Sequence, residues 1–335
     1  MVMSKVSELF RHFKKTFFRN PSTGTWGNFP IMQGPHEPEI YSINKPDYGR
    51  LQFPENQSSR QGQLLSGFAT KEHMESLAFR FWAAQLHESW RLHRKLWEFC
   101  YILQGLYERD LLQPGKRGLG FAVGEEPLPS LMASYGCKVV ATDLDVSDPR
   151  AAPWAKTNQL TNSLEMLNKR GICAPAIFRE HVSYRPVDMN NIPADLRDFD
   201  FTWSSCSFEH CGSIEQGHHF LMEQVKCLKP GGIGIHTTEF NLTSNDDTIT
   251  TGPTVIFRRN DIEDMISELR SLGHRVEPLC LDLGGHKEDK YIDTMPYGHN
   301  IHMKLKLFDK YTSTSIGLII ERDGLHLQKH KQSCA

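Results

Sequence analysis

Three groups of residues in this 335-residue sequence have types and spacings that can do chemistry. The first is Leu119-Gly-Phe-Ala-Val-Gly124, followed by Asp143 at the end of Val139-Val-Ala-Thr-Asp143. It reads as a strand, a tight small-residue corner, a helix start and a second strand ending in a carboxylate. In a doubly wound sheet such a corner lets the backbone approach an adenosine-containing ligand, and the carboxylate accepts hydrogen bonds from ribose hydroxyls. The second group is His210, after Phe199-Asp-Phe-Thr-Trp-Ser-Ser-Cys-Ser-Phe-Glu-His210, with His236 and Glu239 at and just past a later strand. A histidine titrates near neutrality and can take a proton from a reacting hydroxyl. Glu239 could act as base, orient a hydroxyl, or be a solvated loop acid. The third group is Asp282, Tyr291, Asp293, His299 and His302, most of them in the Gly284–Thr314 stretch, which reads as a long insertion and either builds a substrate wall or is a surface excursion.

Rival nucleotide chemistries fit less well. Gly118, Gly120 and Gly124 are out of register with the G-x-G-x-x-G of dinucleotide binders, and no G-x-x-x-x-G-K-[ST] loop is present. Tyr41-Ser-Ile-Asn-Lys45 matches Y-x-x-x-K but precedes the glycine corner, where it cannot serve it. The net charge of -2 gives no footprint for nucleic acid, so no such partner is expected. The eight cysteines contain no C-x-x-C pair and fit a reducing, cytoplasmic setting.

The elements that must position these groups can be read from periodicity. Phe79, Trp82, Leu86, Trp90, Trp97, Cys100, Leu103 and Leu106 fall on one helical stripe between 71 and 112, with His93 as its polar member. Pro114-Gly115 stops it. Strands are expected at 117–123, 138–142, 181–187, 199–204, 232–237, 275–281 and 316–321, and helices at 126–135, 153–169, 214–228 and 260–272. That alternation predicts an α/β fold, a doubly wound, seven-stranded, mostly parallel sheet with a helical amino-terminal extension. The expected organisation is an irregular segment over 1–70 with a short amphipathic helix, a helical region over 71–112, the sheet domain over 113–325 and a tail over 326–335. The stripe Val6, Leu9, Phe10, Phe13 and Phe17 sits among basic residues; it would dock on the chain's own core, on a second subunit, or on an anionic membrane surface.

From about 113 to 322 the chain resembles the class I S-adenosylmethionine-dependent methyltransferases, with a corner similar to a bacterial subgroup linked to glycan and other secondary biosynthesis. The corner, the Asp143 strand end, the Phe199–His210 segment and Leu228-Lys-Pro-Gly-Gly-Ile-Gly-Ile235 follow in the family's order. The resemblance implies S-adenosylmethionine as cofactor, held by Gly120, Phe121, Ala122, Gly124, Asp143 and Ser204, with Asp188 and Met189 around the adenine. Asp188 could equally cap its own loop. It implies methyl transfer to an oxygen of a small molecule or glycan, with His210 as base or pocket lining. The alternatives are methylation at nitrogen or carbon of another metabolite, a protein or RNA, and a degenerate fold that only binds a partner. The sequence departs from the family where an acid usually closes the first strand: Gly120 stands there, and Ala122 replaces a glycine. Glu125 or Glu126 either caps the following helix or meets the cofactor's ammonium group. Cys206-Ser-Phe-Glu-His210 lacks the first acid of the E-x-x-E-H pattern of metal-dependent relatives, so no metal is expected.

Overall fold

The computed structural model describes residues 64–155, 160–161, 163–298 and 301–324. The amphipathic stripe before residue 20, most of the irregular segment, Tyr41–Lys45, His299 and the tail lie outside the described residues. The single helical stripe expected over 71–112 is divided into a short helix at Lys71–Glu75, α1 (Leu77–Gln85) and α2 (Arg94–Tyr107). Two local features cut it. The Ser76 hydroxyl accepts the Phe79 amide at 3.3 Å and so starts α1 afresh, and His87 turns left-handed at φ 54° beyond its end. His93 then caps α2, its Nδ1 accepting the Lys95 amide at 3.1 Å. Trp82, Trp97, Cys100, Leu103 and Leu106 are all fully buried, so the stripe faces the core despite the break.

The sheet follows as β1 (Arg117–Phe121), β2 (Lys138–Asp143), β3 (Val182–Pro186), β4 (Phe199–Ser205), β5 (Leu228–Asn241), β6 (Lys304–Leu307) and β7 (Tyr311–Glu321). Helices α3 (Leu128–Ser134), α4 (Ile214–Val225) and α5 (Arg259–Ser271) cross between them. The strand order is β3-β2-β1-β4-β5-β7, parallel except for β7, with β6 antiparallel to β7. The sheet has ten strands rather than the seven expected, because short segments extend its far edge. Ser66–Phe68 lies antiparallel to β7. The strand expected at 275–281 divides: Arg275–Val276 pairs with β7, and Leu279–Cys280 pairs with Ser66–Phe68. The helix expected at 153–169 is also corrected. Among the described residues that stretch holds the end of a four-residue helix, Ala152–Ala155, and a tight turn at Leu164–Asn168.

Alternation along the strands sorts side chains onto two faces. Phe201, Trp203, Ile233 and Ile235 pack with α1, α2 and α3, while Phe121, Phe208, Phe220 and Phe257 pack with α4 and α5. The strand order reverses between β1 and β4, and that is where an open α/β sheet presents a crevice at its carboxyl ends. No helix among the described residues is long and apolar enough to cross a membrane.

Candidate active site

The corner after β1 has the geometry its composition demands. Ala122 and Gly124 hold φ of 47° and 52°, a left-handed conformation that costs a non-glycine residue about 1–2 kcal/mol. The strain is supported by the Val123 amide on the Thr142 carbonyl at 3.0 Å and the Thr142 hydroxyl on the Gly120 carbonyl at 2.7 Å. Phe121 is buried against Phe220, so only its backbone faces the crevice. Gly120 is small for a packing reason: a Cβ there would lie 2.3 Å from the Trp203 indole. The same contact explains why β1 carries no acid at this point.

Asp143 is buried at the end of β2 and satisfied by main-chain amides. Gly124 and Thr161 donate to Oδ2 at 3.0 and 3.3 Å, and Leu144 donates to Oδ1 at 2.8 Å. Burial nevertheless pushes its pKa up to about 7. Beyond β3, Asp188 accepts the Asn190 amide at 2.9 Å through Oδ1 and pairs with Arg150 at 2.8 Å through Oδ2. It therefore does cap its own loop. Met189 packs against the α4-side core.

Two expected site residues point elsewhere. Strand alternation turns Ser204 and His236 onto the α4 face, where the Ser204 hydroxyl meets His236 Nδ1 at 2.8 Å. His236 is fully enclosed beside Phe220, and burial lowers its pKa to about 3. It is a core histidine, and neither side chain reaches the crevice.

His210 does lie at the carboxyl edge, on a short turn after β4 with the Trp154 ring 4.4 Å away. Its Nδ1 is 2.9 Å from the Pro253 carbonyl, which can only accept. That nitrogen therefore carries the proton, and Nε2 keeps its lone pair. Burial lowers the ring's pKa to about 4. Nε2 stands 3.9 Å from Oε1 of Glu209, a buried carboxyl whose other oxygen accepts the Thr238 hydroxyl at 2.9 Å. Oε1 makes no hydrogen bond. Burial and then the nearby Glu239 push Glu209 up to about 8.

Glu239 is no solvated loop acid. It forms a buried ion pair with Arg94 at the start of α2 and accepts the Ser313 hydroxyl from β7. One residue on, Lys95 Nζ contacts Glu98 at 2.7 Å and the Ser205 carbonyl and hydroxyl at 3.0 and 3.3 Å. Glu98 also accepts the Ser315 hydroxyl at 2.6 Å and the Cys206 thiol at 3.0 Å. Burial disfavours its charge, but Lys95 and Arg94 hold it below the usual carboxylate range. The sequence offered one signal for this cluster: charged residues set on the apolar stripe directly after His93.

The late insertion comes back to the same place. Ile301–His302 pairs in parallel with Leu92–His93, the His302 ring stacks on His93 at 4.6 Å, and Nδ1 meets Asp293 at 2.6 Å. Asp282 instead receives the Gly284 amide at 2.9 Å, and Tyr291 is half-buried. Glu125 pairs with Lys169, and α3 has no side-chain cap, so neither Glu125 nor Glu126 caps it.

These groups fit a nucleoside cofactor with a charged tail. Asp143 is fixed where a ribose edge would meet it, and Glu126 is a buried carboxyl with Oε2 unpartnered. Residues 119–235, spanning β1 to the middle of β5, match the family model for the methyltransferase domain. Comparison with curated proteins gives no match. A protein from Galdieria sulphuraria assigned as a sarcosine dimethylglycine methyltransferase aligns over 69% of this chain and 84% of its own, at 14% identity and TM-score 0.42. The methyltransferase domain of bacterial CtHen1-CN aligns over 66% and 95%, at 12% identity and TM-score 0.40. The glycopeptide N-methyltransferase MtfA, in complex with S-adenosylmethionine, aligns over 62% and 87%, at 12% identity and TM-score 0.37. The family match covers the corner, the Asp143 strand end and the His210 loop, so residues 119–235 of this chain carry a methyltransferase domain.

Proposed function

We propose that the chain methylates a hydroxyl oxygen of a small polar metabolite or glycan, with His210 as the proton acceptor. When bound, S-adenosylmethionine supplies an electrophilic methyl group. The corner, Asp143 and the Asp188 loop would hold its nucleoside, while the rest of the protein's task is to orient the acceptor and remove its proton. The observation that carries the reading is the His210–Glu209 pair. The Pro253 carbonyl fixes the tautomer, so the unprotonated Nε2 is available throughout the neutral range. The imidazolium formed on proton transfer would lie beside Glu209, which then has a cation against which to ionise.

The test uses labelled cofactor with a panel of monosaccharide, oligosaccharide and phenolic acceptors. Label on a hydroxyl, and a fall in kcat of at least about 100-fold for His210→Ala with cofactor affinity unchanged, are the expected outcomes. Label found only on nitrogen or carbon would end the oxygen assignment. Unchanged kcat would remove His210 from the base role.

A further inference from the structure

Glu126 is a carboxyl left waiting for a cation. It follows the strained corner by two residues, is only 8% exposed, and its Oε2 has no hydrogen-bond partner. A buried acid in that state is costly unless it is neutral or a cation arrives. The groups facing it come from three elements: Lys95 and Glu98 of α2, the Trp203 indole of β4, and, further off, Asp143 of β2. Lys95 is the obvious internal partner, but its ammonium has three protons and is already placed against Glu98, the Ser205 carbonyl and the Ser205 hydroxyl. The Trp203 indole N–H faces the carboxyl as a donor, but it brings no charge. Burial pushes Glu126 up to about 8, with Lys95 and the indole N–H opposing and Glu98 reinforcing the rise, so at neutral pH it holds its proton.

The strand that would normally supply an acid here cannot. Trp203 occupies the space into which any side chain at position 120 would project. The carboxylate has moved from the strand to the far side of the turn. A narrow cleft lined by Lys95, Phe99, Glu126 and Arg170 connects it to the surface.

We propose that Glu126 receives the α-ammonium group of the cofactor and surrenders a proton to solvent as it does so, making cofactor capture a proton-releasing step. The proposal rests on the cofactor reading above. The charges balance: a neutral carboxyl and an ammonium become a carboxylate–ammonium pair plus one released proton. The nucleoside end has its own titrating acid in Asp143, so protons released there accompany any adenosine ligand. Those at Glu126 accompany only ligands with the amino-acid tail.

That difference gives the experiment. Calorimetric titration of the full chain at pH 7 with S-adenosylhomocysteine and with 5′-methylthioadenosine, each in two buffers of different ionisation enthalpy, counts the protons released. We expect S-adenosylhomocysteine to release close to one proton more than 5′-methylthioadenosine. In Glu126→Gln, checked for folding by circular dichroism, that excess should vanish. S-adenosylhomocysteine should bind about tenfold more weakly, with 5′-methylthioadenosine unaffected. Equal proton counts for the two ligands in the wild type, or an equal loss of both ligands in the variant, would overturn the proposal. If neither ligand binds the wild-type chain, the cofactor reading itself fails, a result distinct from either.

Discussion

At the β2 end of the crevice Asp143 is met by main-chain amides of Gly124, Leu144 and Thr161, whereas under α2 Glu98 and Glu239 are met by the side chains of Lys95, Arg94 and three serines. The first arrangement is held by backbone geometry, so its position survives most side-chain changes. The second is a set of buried charges, each stable only while its partner remains. The consequence for function is a division of labour. The nucleoside side is a fixed cradle, and the α2 side is a balanced charge cluster that anchors β4, β5 and β7 to the helix. Glu126 and Glu209 lie at its border, each with one oxygen that makes no hydrogen bond.

The largest effect expected from breaking this contrast is Glu239→Ala. It removes the carboxylate that faces the Arg94 guanidinium, whose side chain is 3% exposed, and leaves an apolar methyl group there. Losing one partner of a buried pair costs about 3–5 kcal/mol, and urea denaturation should show it as a lower midpoint with an unchanged slope. A loss below about 1 kcal/mol would mean the pair is not the anchor described.

On the cradle side the effect should be smaller and of another kind. Asp143→Ala frees three amides that water can reach once the carboxylate is gone, so the fold should persist. Binding of S-adenosylhomocysteine should weaken by about 1–3 kcal/mol, the cost of an unpaired polar contact. Calorimetry showing wild-type affinity would remove Asp143 from the ribose contact.

The contrast also sets what could be read from sequence. The cradle is local: Leu119–Gly124 and Asp143 are separated by one helix, and turn chemistry with strand alternation suffices to place them. The same alternation, applied with the strand ends in the right register, would have sent Ser204 and His236 to the α4 face. A histidine near a strand's carboxyl end is exposed there only if the pleat turns it to the open face, and for His236 it does not. The charge cluster was hidden for a different reason. Lys95 and Glu98 pair within α2, but their other partners, and that of Arg94, come from β4, β5 and β7, more than 100 residues away in sequence. Likewise the sequence shows Gly120 only as a departure from the family's acid and a residue expected to hold the cofactor, although the Trp203 ring decides its size. The extra edge strands of the sheet escaped because segments of two and three residues carry no periodicity.

The smallest effect, and the most diagnostic of the border acids, is in pH. Glu209 is raised from an unfolded value of 4.5 to about 8. The native state therefore binds the extra proton between those limits, and stability from this group is present at low pH and lost as pH rises through about 8. One such acid contributes at most about 1.4 kcal/mol per pH unit. Glu209→Gln keeps a neutral, hydrogen-bonding side chain at every pH. Thermal unfolding followed from pH 5.5 to 8.5 should show the variant losing less stability than the wild type over that range, with the two closest at the acidic end. Parallel profiles would show that Glu209 is already ionised at neutral pH, and the pairing with His210 would then have to be drawn with a carboxylate from the start.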